Sequence, residues 1–187
     1  MPSVIDHLER FCGPIVEGWA HDPDGQRMPF QIVRLQSGPV VDTVTFSTVG
    51  LGKIPLKCSR SHKIIRHELV MLAHSAAVPP NLGPLLQQVA AEAVARSSPY
   101  LRGEVIGPRG PLFENSTVTA LYVSSPAYFP DDFDQVDESF GSMIIAWLVP
   151  ITDQEASFVN DRGWNEFERE LEKHDPDLID FLRASIV

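Results

Sequence analysis

Residues 141–163 constrain this chain more than any other stretch, because they read as a buried strand running straight into a capped helix. From Met143 to Val149 every position is apolar, odd and even alike. A strand of that kind must be covered on both faces, which places it centrally in a sheet. Pro150 has no amide to give a ladder and predicts the strand's end. Thr152 with Glu155 three residues on predicts a capping box, and Gly163 predicts the stop of the helix it opens.

Around this centre the chain reads as alternating short strands and helices. Ser3 and Asp6 predict a cap for a short helix with Val4, Ile5, Leu8, Phe11 and Cys12 on one face, ended by Gly13-Pro14. Residues 15–20 and 30–35 predict a hairpin across a turn-rich linker, and the β-branched residues 40–49 a further strand followed by a glycine-bearing turn. Residues 63–72 predict a strand whose polar half, with His67 and Glu68, lies near an edge or cleft. Asn81 opens a helix buried through Leu82, Leu85, Leu86, Val89, Ala90, Ala93 and Val94. Residues 101–115 read as loop or short hairpin and 117–123 as strand. After a helix with the stripe Trp164, Phe167 and Leu171, Asp175-Pro176 predicts a last helix burying Leu178, Ile179, Leu182 and Ile186. The expected class is α+β.

Composition narrows the function. With 187 residues, 43% hydrophobic and 21% charged, the chain is most simply one globular domain over residues 1–187. Sixteen prolines favour loops and sheet edges over a helical bundle. The net charge of −10 disfavours direct binding to nucleic acid, which relies on Lys and Arg displacing counterions, and speaks first for solubility and second for a basic partner. Cys12 and Cys58 form neither a disulfide framework nor a CxxC pair. No run of eighteen apolar residues and no signal-peptide pattern is present in the sequence, so the expectation is a cytoplasmic protein that does not enter membranes.

Motifs for catalysis or cofactors fail on inspection. His67-Glu68 would need histidine at Met71 to make HExxH, and His62, His67 and His74 do not share a strand face. Gly50-Leu51-Gly52-Lys53 lacks the third glycine of a dinucleotide loop and the hydroxyl of a Walker A, which leaves a glycine turn. Cys58 beside Lys57 and Arg60 with His62 nearby rests only on closeness in sequence. No cofactor, metal or catalytic group is expected. The one local charge concentration lies in residues 124–139, where Asp131, Asp132, Asp134, Asp137 and Glu138 stand among Tyr128, Phe129 and Phe133. That pattern reads first as a solvated loop, since charged residues face water, and in the sharper reading as a protein-binding surface in which acids steer a basic partner and aromatics anchor it.

The segment WLVPITDQEASFVNDRGWNEFERELEKHDPDLIDFLRAS, with FSTVGLGKIPL at 46–56 and HELVM at 67–71, resembles the Suppressor of fused-like domain family over about residues 40–187. The resemblance implies a central mixed, mainly antiparallel β-sheet with flanking helices, like the family's N-terminal domain, and a role in binding proteins. The animal member is larger and two-part, and grips a peptide by strand addition. Stand-alone bacterial versions are associated with polymorphic toxin systems as immunity proteins. The resemblance therefore implies a non-enzymatic immunity protein. Two other expectations are a small-molecule-binding domain or enzyme with a pocket lined by His67 and Glu68, and a regulatory module that adds a peptide strand to a sheet edge.

Overall fold

A computed structural model describes residues 3–187. In chain order the elements are α1 (Val4–Cys12), β1 (Ile15–His21), β2 (Arg27–Leu35), β3 (Thr43–Val49), β4 (Leu56–Lys57), β5 (Ile64–Ile65), β6 (His67–His74), α2 (Leu82–Arg96), β7 (Val105–Ile106), β8 (Val118–Ser124), β9 (Gln135–Glu138), β10 (Gly141–Thr152), α3 (Asp153–Arg162) and α4 (Trp164–His174). They fall into two compact units. One comprises residues 3–100 and 125–147, the other 101–124 and 148–187, and β10 belongs to each in turn.

The first unit is built on strands in the order β1-β2-β3-β6-β10, with β9 paired to the start of β10. All these pairs are antiparallel except β6 with β10, where Ile144 stands opposite His67 and Ile145 opposite Glu68. The sheet is thus mixed and mainly antiparallel, as expected. β3 shows how its two faces are covered. Phe46 packs beneath Gly83 of α2, and on the other face Thr45 meets the Cys12 thiol at the end of α1. α2 lies across β2, β3 and β6 through Leu82, Leu86, Val89, Ala90 and Ala93, while Leu85 and Val94 of the predicted stripe are half-buried.

In the second unit, β7 and β8 form an antiparallel pair and α3 and α4 pack against each other. Thr152 and Glu155 make the predicted capping box, and Gly163 closes α3 at φ 89°.

Several expectations need correction. Pro150 does not end its strand; β10 continues to Thr152, and the freed Pro150 carbonyl accepts from Arg183 Nη2 at 3.4 Å. From Met143 to Thr152 both faces of β10 are covered except at Ile144, which is 42% exposed, while Gly141 and Ser142 at its start face solvent. The strand expected over 40–49 begins only at Thr43, after Asp42 turns at φ 59°. The strand expected over 63–72 breaks into β5, which pairs with β4, and β6. β6 lies between β3 and β10 with His67 and Glu68 fully buried, so its polar start is at the sheet's centre and not at an edge. In α1, His7 is buried and Ile5 is exposed. No last helix forms after Asp175, which caps α4 at φ 43°. There the backbone makes two successive turns, Asp180 N–H donating to the Asp177 carbonyl at 3.2 Å and Arg183 N–H to the Asp180 carbonyl at 3.3 Å, and Ile179, Phe181 and Arg183 are buried while Asp180, Leu182 and Ala184 face solvent.

Candidate protein-binding face

The acidic stretch is not a free loop. Pro130 leads into a single 3-10 turn, Asp131–Phe133, and β9 then runs antiparallel to β10 through a two-residue turn at Ser139 and Phe140. Two of its three aromatics are interior. Phe133 is fully buried, stacks on Phe129 with ring centroids 3.7 Å apart and meets the edge of Phe11 at 5.3 Å. The Phe133 carbonyl accepts from His7 Nε2 at 3.0 Å, which fixes that nitrogen as the protonated one. Tyr128 is half-buried and leans on Trp147 at 4.8 Å. The aromatics expected to anchor a partner therefore pin the turn to α1 and the sheet.

The acids face outward above this anchor. Asp131, Asp132, Asp134 and Asp137 are exposed, and the Asp134 carbonyl accepts from Ile145 at 2.8 Å, tying the turn to β10. Arg10 reaches Asp132 at 3.0 Å in a solvent-exposed pair. Glu138 is half-buried and accepts from the Val4 amide at 2.8 Å, so its carboxylate completes the N-terminus of α1. A cavity of about 570 Å³ brings Asp132, Asp137 and Glu138 together with His7, Arg10 and Ser142. Such a surface offers fixed negative charge and a recess for a basic side chain. Arg10 was not legible as a member of it, since it lies 122 residues away from Asp132.

The residues expected to line a pocket, His67 and Glu68, form a buried polar centre instead. Glu68 Oε2 accepts from the Thr48 hydroxyl at 2.5 Å, and Oε1 accepts from the amides of Gly50 at 2.9 Å and Gly52 at 3.0 Å. Thr48 also takes the Leu69 amide at 2.9 Å. The glycine turn with its positive φ at Gly50 is thus a cradle for an internal carboxylate. Burial pushes the Glu68 carboxyl up to about 7, against the pull of Thr48 and of the amides of Gly52, Gly50 and Leu51. The His67 ring makes no well-formed side-chain hydrogen bond, and burial takes it down to about 4 although the Tyr100 backbone favours the protonated form. Among the described residues Cys58 is buried, and hydrogen bonds from Ser61, with Arg60 nearby, hold its thiol below the usual range.

A second cavity, of about 750 Å³, lies between the β1–β2 hairpin end and α2. Its lining, apolar at Met28, Phe30, Ala91 and Val94 and polar or charged at Asp22 and Arg27, suits a peptide and a small ligand alike, and so selects neither. Among the described residues, no three His, Cys, Asp or Glu side chains are grouped to hold a metal ion. No helix among them is long and apolar enough to cross a membrane.

Comparison with known proteins adds the following. The sequence model of the family described as Suppressor of fused protein (SUFU) matches residues 26–184. A suppressor of fused protein homolog from Neisseria gonorrhoeae superposes with a TM-score of 0.78 at 20% identity, covering 98% of this chain and 94% of its own. The Sufu–Fu complex structure gives 0.71 at 16% identity, with 98% and 90% covered. Drosophila Suppressor of Fused gives 0.71 at 14% identity and 98% of this chain, which spans 50% of that longer protein. At these identities the likeness speaks for the fold. No curated protein matches the sequence significantly.

Proposed function

We propose that this chain, which belongs to the Suppressor of fused family, is a non-enzymatic protein-binding domain that serves as a cytoplasmic immunity protein against a cognate polymorphic toxin. Residues 1–187 act in this reading as one Suppressor of fused-like domain, and the partner is a basic toxin domain. The observation that carries it is the acidic turn and hairpin: Asp131, Asp132, Asp134 and Asp137 are exposed on a backbone pinned by Phe129 and Phe133. Charge held on a rigid support is ordered before binding and attracts a basic surface from a distance. A relative solved as the Sufu–Fu complex supports protein binding as the mode. The reading is tested by co-expression with the captured toxin domain. Wild type restores growth and the Asp131→Asn, Asp132→Asn, Asp134→Asn variant does not; growth failure with wild type sinks the immunity role.

A second reading, peptide binding by strand addition, is favoured by β1, which ends the sheet and exposes Val16 and Trp19. Register shifts between Ile15 and Glu17 and between Trp19 and His21 rank it second. Irregularities of that kind are how edge strands resist added partners.

A further inference from the structure

The negative balance of this chain is not spread evenly. Lys53, Lys57, Arg60, Lys63 and Arg66 are five of its fifteen Lys and Arg, and no Asp or Glu occurs between Asp42 and Glu68. The fold keeps this basic stretch ordered. β4 and β5 pair with each other outside the main sheet, and buried Leu56 and Cys58 anchor the hairpin. The Lys57 amide donates to the Ser97 carbonyl at 3.1 Å, which fastens the hairpin to the end of α2. Its loop closes through the Cys58 amide on the Lys63 carbonyl at 2.9 Å and the His62 amide on the Cys58 carbonyl at 2.8 Å. Lys53, Lys57, Arg60 and Lys63 are exposed, and among the described residues none of the four forms an ion pair.

The acidic hairpin begins where the basic one ends, and both lie within the first unit. The Arg66 guanidinium lies over the Phe140 ring at 5.2 Å, in the turn between β9 and β10, and the Arg66 carbonyl accepts from the Ile144 amide at 3.0 Å. Ile144 also stands opposite Gln135 of β9, so it lies between the two hairpins. Asp137, two residues along β9 from Gln135, shares its face. In a strand that is otherwise covered from Met143 onward, Ile144 is 42% exposed, and Ile64 of the basic hairpin is 62% exposed. The surface therefore runs from unpaired cations, through exposed isoleucines, to exposed acids.

We propose that this surface is a contact between two copies of the chain, the basic β4–β5 hairpin of each lying on the acidic β9–β10 hairpin of the other, about a two-fold axis near Ile144. Oppositely charged patches on either side of such an axis are self-complementary, because the rotation sets each against its opposite and the contact closes as a dimer. The isoleucines between them supply the apolar centre that an interface places inside a polar rim. A net charge of −10 repels two copies elsewhere, so the approach is confined to where the sign reverses. Exposed ion pairs contribute little each, which makes the dimer weak and reversible. It covers acids assigned above to a basic partner, so self-association competes with capture. That competition rests on the acidic-face reading; the dimer does not.

Sedimentation velocity with charge reversal tests it on the purified chain alone. Wild type should pass from monomer to dimer as its concentration is raised. One variant carrying Lys57→Glu, Arg60→Glu and Lys63→Glu, and another carrying Asp134→Lys and Asp137→Lys, should each stay monomeric. Mixed, the two should form a dimer with one copy of each, since every contact then joins opposite signs again. All five side chains are exposed, and a mixed dimer itself shows that both variants fold. Wild type that stays monomeric up to its solubility limit, a dimer that survives either reversal, or folded variants that do not associate when mixed would each overturn the proposal. Dilution of wild type followed by NMR needs no variant: amide shifts should concentrate in residues 53–66 and 134–144, and shifts concentrated elsewhere refute the contact. The Lys57→Glu, Arg60→Glu, Lys63→Glu variant should capture the partner at lower chain concentration than wild type, and equal capture overturns the competition. Failure of the acidic face itself shows separately, as capture by the triple Asp→Asn variant.

Discussion

His67 and Glu68 are consecutive, fully buried residues of β6, and burial drives both towards their uncharged forms from opposite directions. The imidazole falls from 6.5 to about 4 and the carboxyl rises from 4.5 to about 7. For Glu68 the folded protein keeps a proton that the unfolded chain loses, so its stabilisation is full below pH 4.5 and lost as pH rises to about 7. For His67 the unfolded chain takes up a proton that the fold refuses, so its stabilisation is full above pH 6.5 and lost as pH falls to about 4.

Between pH 4.5 and 6.5 the two linkages oppose each other, and wild-type stability should carry little slope from this pair. Glu68→Gln removes one side and should leave a protein that loses roughly 2–3 kcal/mol on acidification across that window. His67→Phe removes the other and should give a loss of similar size on raising the pH. Denaturant titrations at several pH values check both, and three parallel profiles would contradict the opposed linkage.

Arg183 is the counter-charge of Glu155 in the second unit, and it also donates to the carbonyls of Pro150 and Ala184. Arg183→Met leaves a buried carboxylate with only the Thr152 and Ile186 amides and no counter-charge, and should cost roughly 3–5 kcal/mol. Removing both charges with Glu155→Gln added should recover part of that loss, because the orphaned charge is gone. Unfolding midpoints of the single and double variants decide it; a double variant no better than the single would show that packing of the Arg stem dominates.

Phe133 holds the acidic turn from beneath. Phe133→Ala should cost roughly 3–5 kcal/mol in lost packing, and increase hydrogen exchange over residues 130–138 beyond its effect on α2. A uniform loss across the unit would mean that the ring stabilises the core without ordering the turn.

Much of the fold was legible because local signals coincide with tertiary need. Thr152, Glu155 and Gly163 define α3 from both ends, and Met143–Val149 reads as interior because every side chain is apolar. The last thirteen residues misled because Asp175-Pro176 is a good helix start by local rules, while Arg183 is held in place by Glu155, and a helix there would break the alternation that buries Ile179, Phe181 and Arg183. Glu68 looked like an edge or cleft residue for a similar reason. A charged residue in a strand reads as exposed unless its donors are known, and these come from Thr48, Gly50 and Gly52, up to twenty residues earlier in the chain. The acidic face was found by charge density, but the burial of Phe129 and Phe133 was not, since interleaving alone does not say which side of a turn faces water.

The central claim is that this protein binds a basic partner through the acidic turn and hairpin. The most direct measurement is capture of partners from a lysate of its own cells by the tagged chain, beside the Asp131→Asn, Asp132→Asn, Asp134→Asn variant. The expected result is a stoichiometric basic protein held by wild type, released as salt is raised, and absent from the variant. Equal retention of that partner by the variant would contradict the assignment of the face, and no partner under any growth condition would contradict protein binding as the function.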